Sequence, residues 1–149
     1  MCIVVPFGCP RRKNDDAMAS PSNASRQKYR AAQKSGQFAE WLCRQWLRCL
    51  GYRILSHNWR NPVGELDIIA QRGETVAFVE VKYRTNNRKL EALAAITPQK
   101  QRRLVNGARH FISRHPHKAG LTLRFDVMVV VRSSIGVPRI YTIKNALQF

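Results

Sequence analysis

Two runs of strand-forming residues, Glu65 to Gln71 and Thr75 to Arg84, are separated only by Arg72-Gly73-Glu74. So short a separation leaves the chain little choice but an antiparallel hairpin. A two-residue loop of Gly73-Glu74, with glycine first, is an accepted hairpin turn. It pairs Arg72 with Thr75 and thereby sets every pair that follows. Side chains two apart in a strand share a face. Glu65 and Asp67 are therefore expected on one face of the first strand, opposite Leu66, Ile68 and Ala70. On the second strand Glu80 and Lys82 share a face, with Ala77, Val79 and Val81 behind them. The register then sets Asp67 against Glu80, and Glu65 against Lys82.

Directly opposed side chains carry β-carbons roughly 4.5–5.5 Å apart, and two carboxylates at that spacing repel unless a cation lies between them. A hard divalent ion such as Mg²⁺ resolves the conflict, because it takes one or two carboxylates together with water and substrate phosphate. Lys82 would then stand beside the ion, where an ammonium can stabilise charge on a phosphate or orient the attacking water. Acid, metal and lysine in this arrangement suit phosphodiester hydrolysis. The alternative is a solvated ladder in which Lys82 neutralises Glu65 and Asp67 meets Arg84, an arrangement worth little in stability. D-x₁₂-E-x-K alone is a weak motif, but the hairpin and the charge of the chain favour the metal site.

That charge is lopsided: 26 Lys and Arg against 9 Asp and Glu give +17. Discounting residues 1 to 34 leaves 19 basic and 7 acidic residues, a net +12, so the basic character belongs to the domain itself. Glu65, Asp67 and Glu80 are three of those few acids. Phosphate contacts dominate affinity for nucleic acid, which makes DNA or RNA the favoured partner; an anionic membrane surface would also attract such a chain. Val127 to Val131 is far too short an apolar run to span a bilayer. Ile3 to Phe7 is too short for a signal-peptide core. Cys2, Cys9, Cys43 and Cys49 form no C-x-x-C pair, and the four histidines lie at no zinc-finger offset. Reduced thiols in a cytoplasmic protein are the expectation.

The rest of the chain organises around the hairpin. Residues 1 to 34 lack hydrophobic periodicity and read as a flexible basic extension, which either grips nucleic acid or reflects a start upstream of the true one at Met18. Residues 35 to 149 read as the folded domain. From Gly36, Ala39, Leu42, Cys43, Trp46 and Leu50 recur at helical spacing up to Gly51. Tyr52 to Trp59 is a strand, with a turn at Asn61 to Gly64. Thr97-Pro98 opens a helix running to about Arg114, a hydroxyl cap followed by proline at the first position. Leu123 to Val131 is a buried strand and Arg139 to Ile143 an edge strand. The order α-β-β-β-α-β-β predicts an α/β fold with a mixed sheet flanked by helices. Glu40 lies at the margin of the first helix's apolar stripe, equally suited to an exposed pair with Arg44 or to a third carboxylate at the metal site. In the first turns of the second helix Lys100 is the best candidate for a phosphate contact, with Arg103 beside it. Trp59 and Asp126 read as structural residues.

Several blocks, in order, resemble the YraN-like family of bacterial proteins: Gly36-Gln37-Phe38-Ala39-Glu40, Gly51-Tyr52, Asn58-Trp59-Arg60, Gly64 to Ala70, Phe78 to Arg84, Ile96 to Leu104, and Arg124 to Val127. The resemblance spans roughly residues 36 to 131. It implies a restriction-endonuclease-like fold, similar to Holliday-junction resolvases and other PD-(D/E)xK nucleases. It further implies Asp67, Glu80 and Lys82 as the catalytic core, Glu40 as a helix-borne acid, and Mg²⁺ or Mn²⁺ on Asp67, Glu80 and Glu40. Branched or structured DNA would be the substrate, contacted by Lys100, Arg103 and Arg84, and a homodimer is the usual state of resolvase-like enzymes. A binding module for DNA or RNA that keeps the fold without turnover is the alternative. Two departures from the pattern concern the substrate groove: Tyr83 stands where a small hydroxyl residue is more usual, and Asn86 to Ala95 lacks an expected Phe-Gly pair.

Overall fold

The computed structural model describes residues 23–85, 97–132 and 136–147. Its elements are helix α1 (Asn23–Cys49), strands β1 (Arg53–Asn61), β2 (Gly64–Arg72) and β3 (Thr75–Arg84), helix α2 (Pro98–Arg114), a 3₁₀ turn (Pro116–Lys118), and strands β4 (Thr122–Val131) and β5 (Arg139–Leu147). The strands form one sheet in the order β1-β2-β3-β4-β5. All neighbours are antiparallel except β3 and β4, which run parallel over the whole length of β3. A parallel pair needs a long crossover, and the connection carrying α2 supplies it. This mixed sheet with helices packed against it is the restriction-endonuclease-like arrangement.

Each helix seals one face of the sheet. Ala39, Cys43 and Leu47 of α1 pack on Ile68, Ala70, Ala77, Val79, Met128 and Val130. Leu104, Ala108 and Phe111 of α2 pack on Leu66, Ile69, Val76, Phe78 and Phe125. Fully burying the larger of these, the Val, Leu, Ile, Met and Phe side chains, is worth roughly 1.5–3 kcal/mol each. Strand β4, between β3 and β5, is buried without a break from Phe125 to Val131.

The first helix departs from expectation in two ways. It begins at Asn23, well before Gly36, so the segment expected to be flexible is helical from 23 to 34 and exposed throughout. That stretch is rich in Arg, Lys, Gln and Ala, good helix formers that need no buried face to favour the conformation. Its buried stripe is Ala39, Cys43 and Leu47, whereas Trp46 and Leu50, expected in the core, are 44% and 41% exposed. Residues 1–22, including Met18, and the segment from Asn86 to Ala95 lie outside the described residues.

Two devices position the second helix. Thr97 Oγ1 accepts the Lys100 backbone N–H at 3.2 Å, capping the N-terminus as its sequence suggested. Gly64 then lets β2 approach α2 backbone to backbone: a β-carbon there would run into the Arg103 carbonyl oxygen and crowd the Gly107 nitrogen. The chain reaches Gly64 through a turn in which Asn61 Oδ1 accepts the backbone N–H groups of Val63 and Gly64, both at 2.9 Å.

Candidate active site

From Arg72 back to Ile68 the hairpin register is the one its turn requires, but the ladder stops there, before the expected pairs Asp67–Glu80 and Glu65–Lys82. Gly73 adopts φ +54, and Arg72 pairs with Thr75, Ala70 with Ala77 and Ile68 with Val79. The alternation of β2 breaks at Asp67, however. Leu66 packs on the α2 side and Ile68 on the α1 side although they lie two apart. Across the β1–β2 ladder from this break, Asn58 carries φ +51. The expectation that Leu66 shares a face with Ile68 and Ala70 is therefore corrected: a kink in the strand turns Leu66 onto α2. β3 keeps its regular alternation, with Ala77, Val79 and Val81 toward α1.

At the kink, Asp67 Oδ2 accepts the Val81 N–H at 2.8 Å. Burial, and then the Glu80 charge, push its carboxyl up from 3.8 to about 7; the Val81 N–H opposes them, and Glu40 adds to the rise. Asp67, Glu80 and Glu40 thus converge electrostatically from two strands and a helix. Glu40 also helps to raise the buried Cys43 thiol to about 12, after burial and Asp67.

Glu80 is buried, 5% exposed, and faces two lysines. Lys82 Nζ lies 2.7 Å from its Oε1, and Lys100 Nζ 3.5 Å from its Oε2. The latter distance is an ion pair without hydrogen-bond geometry, and Oε2 accepts no hydrogen bond. The expected cross-strand pair of Glu65 with Lys82 does not form: Lys82 turns to Glu80 on its own strand, and Lys100 donates to Glu65 Oε1 at 3.0 Å. That bond from Lys100 holds the Glu65 carboxyl below its ordinary value, against a smaller effect of burial. Burial alone would lower the Lys100 ammonium, but Glu80 and Glu65 together raise it.

Lys100 therefore belongs to the acid cluster, a placement that reading the helix by itself did not reveal. The signal was divided between Thr97, which caps the helix, and Gly64, which lets the helix lie on the strand bearing Glu65. Arg103 stays at the rim, 53% exposed and 4.0 Å from Glu65 Oε1. Arg84 donates to the Tyr83 carbonyl at 3.0 Å at the end of β3.

Among the described residues no three His, Cys, Asp or Glu side chains form a ready cage for a metal. A cage is not what Mg²⁺ or Mn²⁺ requires. Two carboxylates, one of them buried with an oxygen lacking a hydrogen bond, match a hard ion that completes its shell with water and phosphate. Asp67 and Glu80 fit such an ion, and the Glu40 charge reaches Asp67 from the α1 side.

The residues read as structural are so placed. Asp126, 4% exposed, accepts two bonds from Arg124, each 2.8 Å, and a third from the Asn145 N–H at 3.0 Å. Trp59, partly buried, packs edge-on to Phe111 against the core, with ring centres 5.4 Å apart. Cys43 and Cys49 are free thiols. No described helix is long and apolar enough to cross a membrane.

Comparison with known proteins gives the family of the chain. Residues 39–130 match the profile of the Uncharacterised protein family UPF0102. A UPF0102 protein of Chelativorans sp. is 41% identical over 126 residues, covering 83% of this chain and 98% of its own. A UPF0102 protein of Synechococcus sp. is 39% identical over 117 residues, 78% of this chain and 88% of its own. A UPF0102 protein of Methylocella silvestris is 46% identical over 101 residues, covering 68% and 80%.

Proposed function

The chain belongs to the UPF0102 family, and from its acid–lysine cluster we propose that it is a metal-dependent DNA endonuclease, hydrolysing phosphodiester bonds in branched or otherwise structured DNA. The observation that carries this reading is the pair Asp67 and Glu80, two crowded carboxylates with Lys82 at 2.7 Å and Asp67 held up at about 7. Proteins seldom keep carboxylates so close without a cation to bind or a proton to move.

Bound Mg²⁺ or Mn²⁺ would supply Lewis-acid polarisation of the phosphate and a more acidic water. Asp67 and Glu80 would hold the ion, with Glu40 orienting a water from the α1 side. Lys82 is already fixed as a donor by Glu80, so its ammonium meets the incoming phosphate with little reorganisation. Arg103, exposed at the rim, together with Arg84 and the first turn of α2, would carry flanking phosphates. A cytoplasmic setting, and a homodimer on two-fold junctions, accompany this reading.

One observation favours a second reading. Both Glu80 oxygens face lysine ammonium groups, so the acid is neutralised without a metal. A DNA- or RNA-binding module with this fold and no turnover would have the same arrangement.

Incubating the purified protein with junction, flap, duplex and single-stranded DNA in Mg²⁺ or Mn²⁺ separates the two. Cleavage of at least one substrate is expected, with Asp67→Ala abolishing it and Lys82→Ala lowering it by about 10²–10³-fold. Salt-sensitive binding with no cleavage under either metal would establish the binding module instead.

A further inference from the structure

A cleft of about 590 Å³ runs between α1 and β1, lined by Gln33, Gly36, Gln37, Glu40, Asn58 and Arg60. Its volume is that of a site for a small organic group. It shares Glu40 with the acid cluster, and Asn58 lies across the ladder from Asp67, between the pairs His57–Ile68 and Trp59–Leu66. The cleft therefore opens directly beside the carboxylates.

Three of its features call for a ligand. The first is chemical: Gln33, Gln37 and Asn58 carry amides, which donate and accept at once and can engage a base edge with two hydrogen bonds. Asn58 with φ +51 is the second, a left-handed residue inside a strand and beside the candidate active site. Asparagine takes such a conformation more readily than other residues with side chains, as Asn145 of β5 also does, and outliers of this kind gather where function requires them. The third is Gly36. It lies inside α1, and a β-carbon built there meets nothing within 4 Å. Glycine in a helix interior is less favourable than any ordinary residue except proline. Among the described residues no contact needs it, so its smallness leaves room for what enters the cleft.

We infer that this cleft is a base pocket, taking one unpaired nucleobase of the strand whose phosphodiester lies at the acid cluster. Gln37 and Asn58 hold the edge of the base, and Arg60 meets the adjoining phosphate. A duplex read in its groove needs a protruding element, whereas a concave cleft takes a base that has left the stack. The inference rests on the nucleic-acid reading above and names the structural feature in the DNA that is recognised.

The test uses fluorescence anisotropy in EDTA, so that binding is read without cleavage. Three labelled duplexes are compared: fully paired, with one unpaired base, and with an abasic site replacing that base. The wild type is expected to bind the unpaired base about ten-fold more tightly than either of the others, the scale of one bidentate base contact. Gln37→Ala and Asn58→Gly should bring that ratio to about one; glycine tolerates the Asn58 φ, so folding is preserved. Gly36→Leu should raise the melting temperature yet abolish the preference, an outcome that a purely structural role does not produce. Equal binding of all three duplexes by the wild type would overturn the pocket while leaving DNA binding intact. So would a preference that survives Gly36→Leu and Asn58→Gly, or tight binding of free deoxynucleoside monophosphates without discrimination among the duplexes. Failure to bind any DNA would overturn the nucleic-acid reading itself.

Discussion

Asp67 Oδ2 accepts the Val81 N–H at 2.8 Å, so a side chain joins β2 to β3 beyond Ile68 and Val79, where the backbone pairing stops. A carboxylate that substitutes for a backbone acceptor cannot swing away from its neighbour. Asp67 is held close to Glu80, and the resulting repulsion is part of the fold.

Stability should therefore depend on pH through Asp67. Its folded-state value of about 7 lies above the ordinary 3.8, so the folded chain keeps a proton that the unfolded chain has released over that interval. Metal-free stability should fall as pH rises from about 4 to about 7, and stay at the reduced level above it. Asp67→Asn removes the charge and should raise stability by roughly 1–3 kcal/mol near pH 8, with little effect near pH 4. Urea denaturation in EDTA at the two pH values measures it; an equal gain at both would contradict the assignment.

Divalent metal should compete with the same proton. Isothermal titration with Mn²⁺ is expected to show proton release below about pH 7 and affinity rising about ten-fold per pH unit in that range. Asp67→Ala should eliminate both effects. Binding that is indifferent to pH would place the ion elsewhere.

Salt dependence separates the two cations of α2. Arg103 is more than half exposed and only 4.0 Å from Glu65, whereas the Lys100 charge is taken up by Glu65 and Glu80. Arg103→Gln should lower the slope of log K against log salt for DNA by about 1. Lys100→Gln should change it less and instead shift the pH response of Asp67. If both variants lower the slope equally, Lys100 is a phosphate contact, as the helix alone suggested.

Gly64→Ala should be the most disruptive one-carbon addition in the domain. The new methyl would meet the Arg103 carbonyl, which cannot yield without moving α2. A loss of about 2–4 kcal/mol is expected in chemical denaturation. Gly73→Ala, where no atom lies within 4 Å but φ is +54, should cost roughly 1 kcal/mol.

The elements that were legible in the sequence are those with a local cause. Gly73 fixed the hairpin, Thr97 and Pro98 fixed the start of α2, and alternation identified the buried faces of β3. What escaped depended on distant backbone. The kink at Asp67 shows no local signature and arises between β2 and β1. Lys100 could not be assigned to Glu65 without knowing that Gly64 draws α2 onto β2. Along α1, helix propensity carries residues 23–34 into the helix without the apolar stripe that marks a buried one, so no periodicity marks its start.

The approach at Gly64 also determines which positions the chain is free to change. Backbone meets backbone there, so no choice of side chain on either element can relieve the crowding, and the separation of α2 from the acid-bearing strand is fixed to within an atom's width. The outward cations of α2 are under no such constraint. Substitutions among those outward cations alter the charge of the surface, while the spacing of Lys100 from Glu65 and Glu80 beneath it stays set by the backbone.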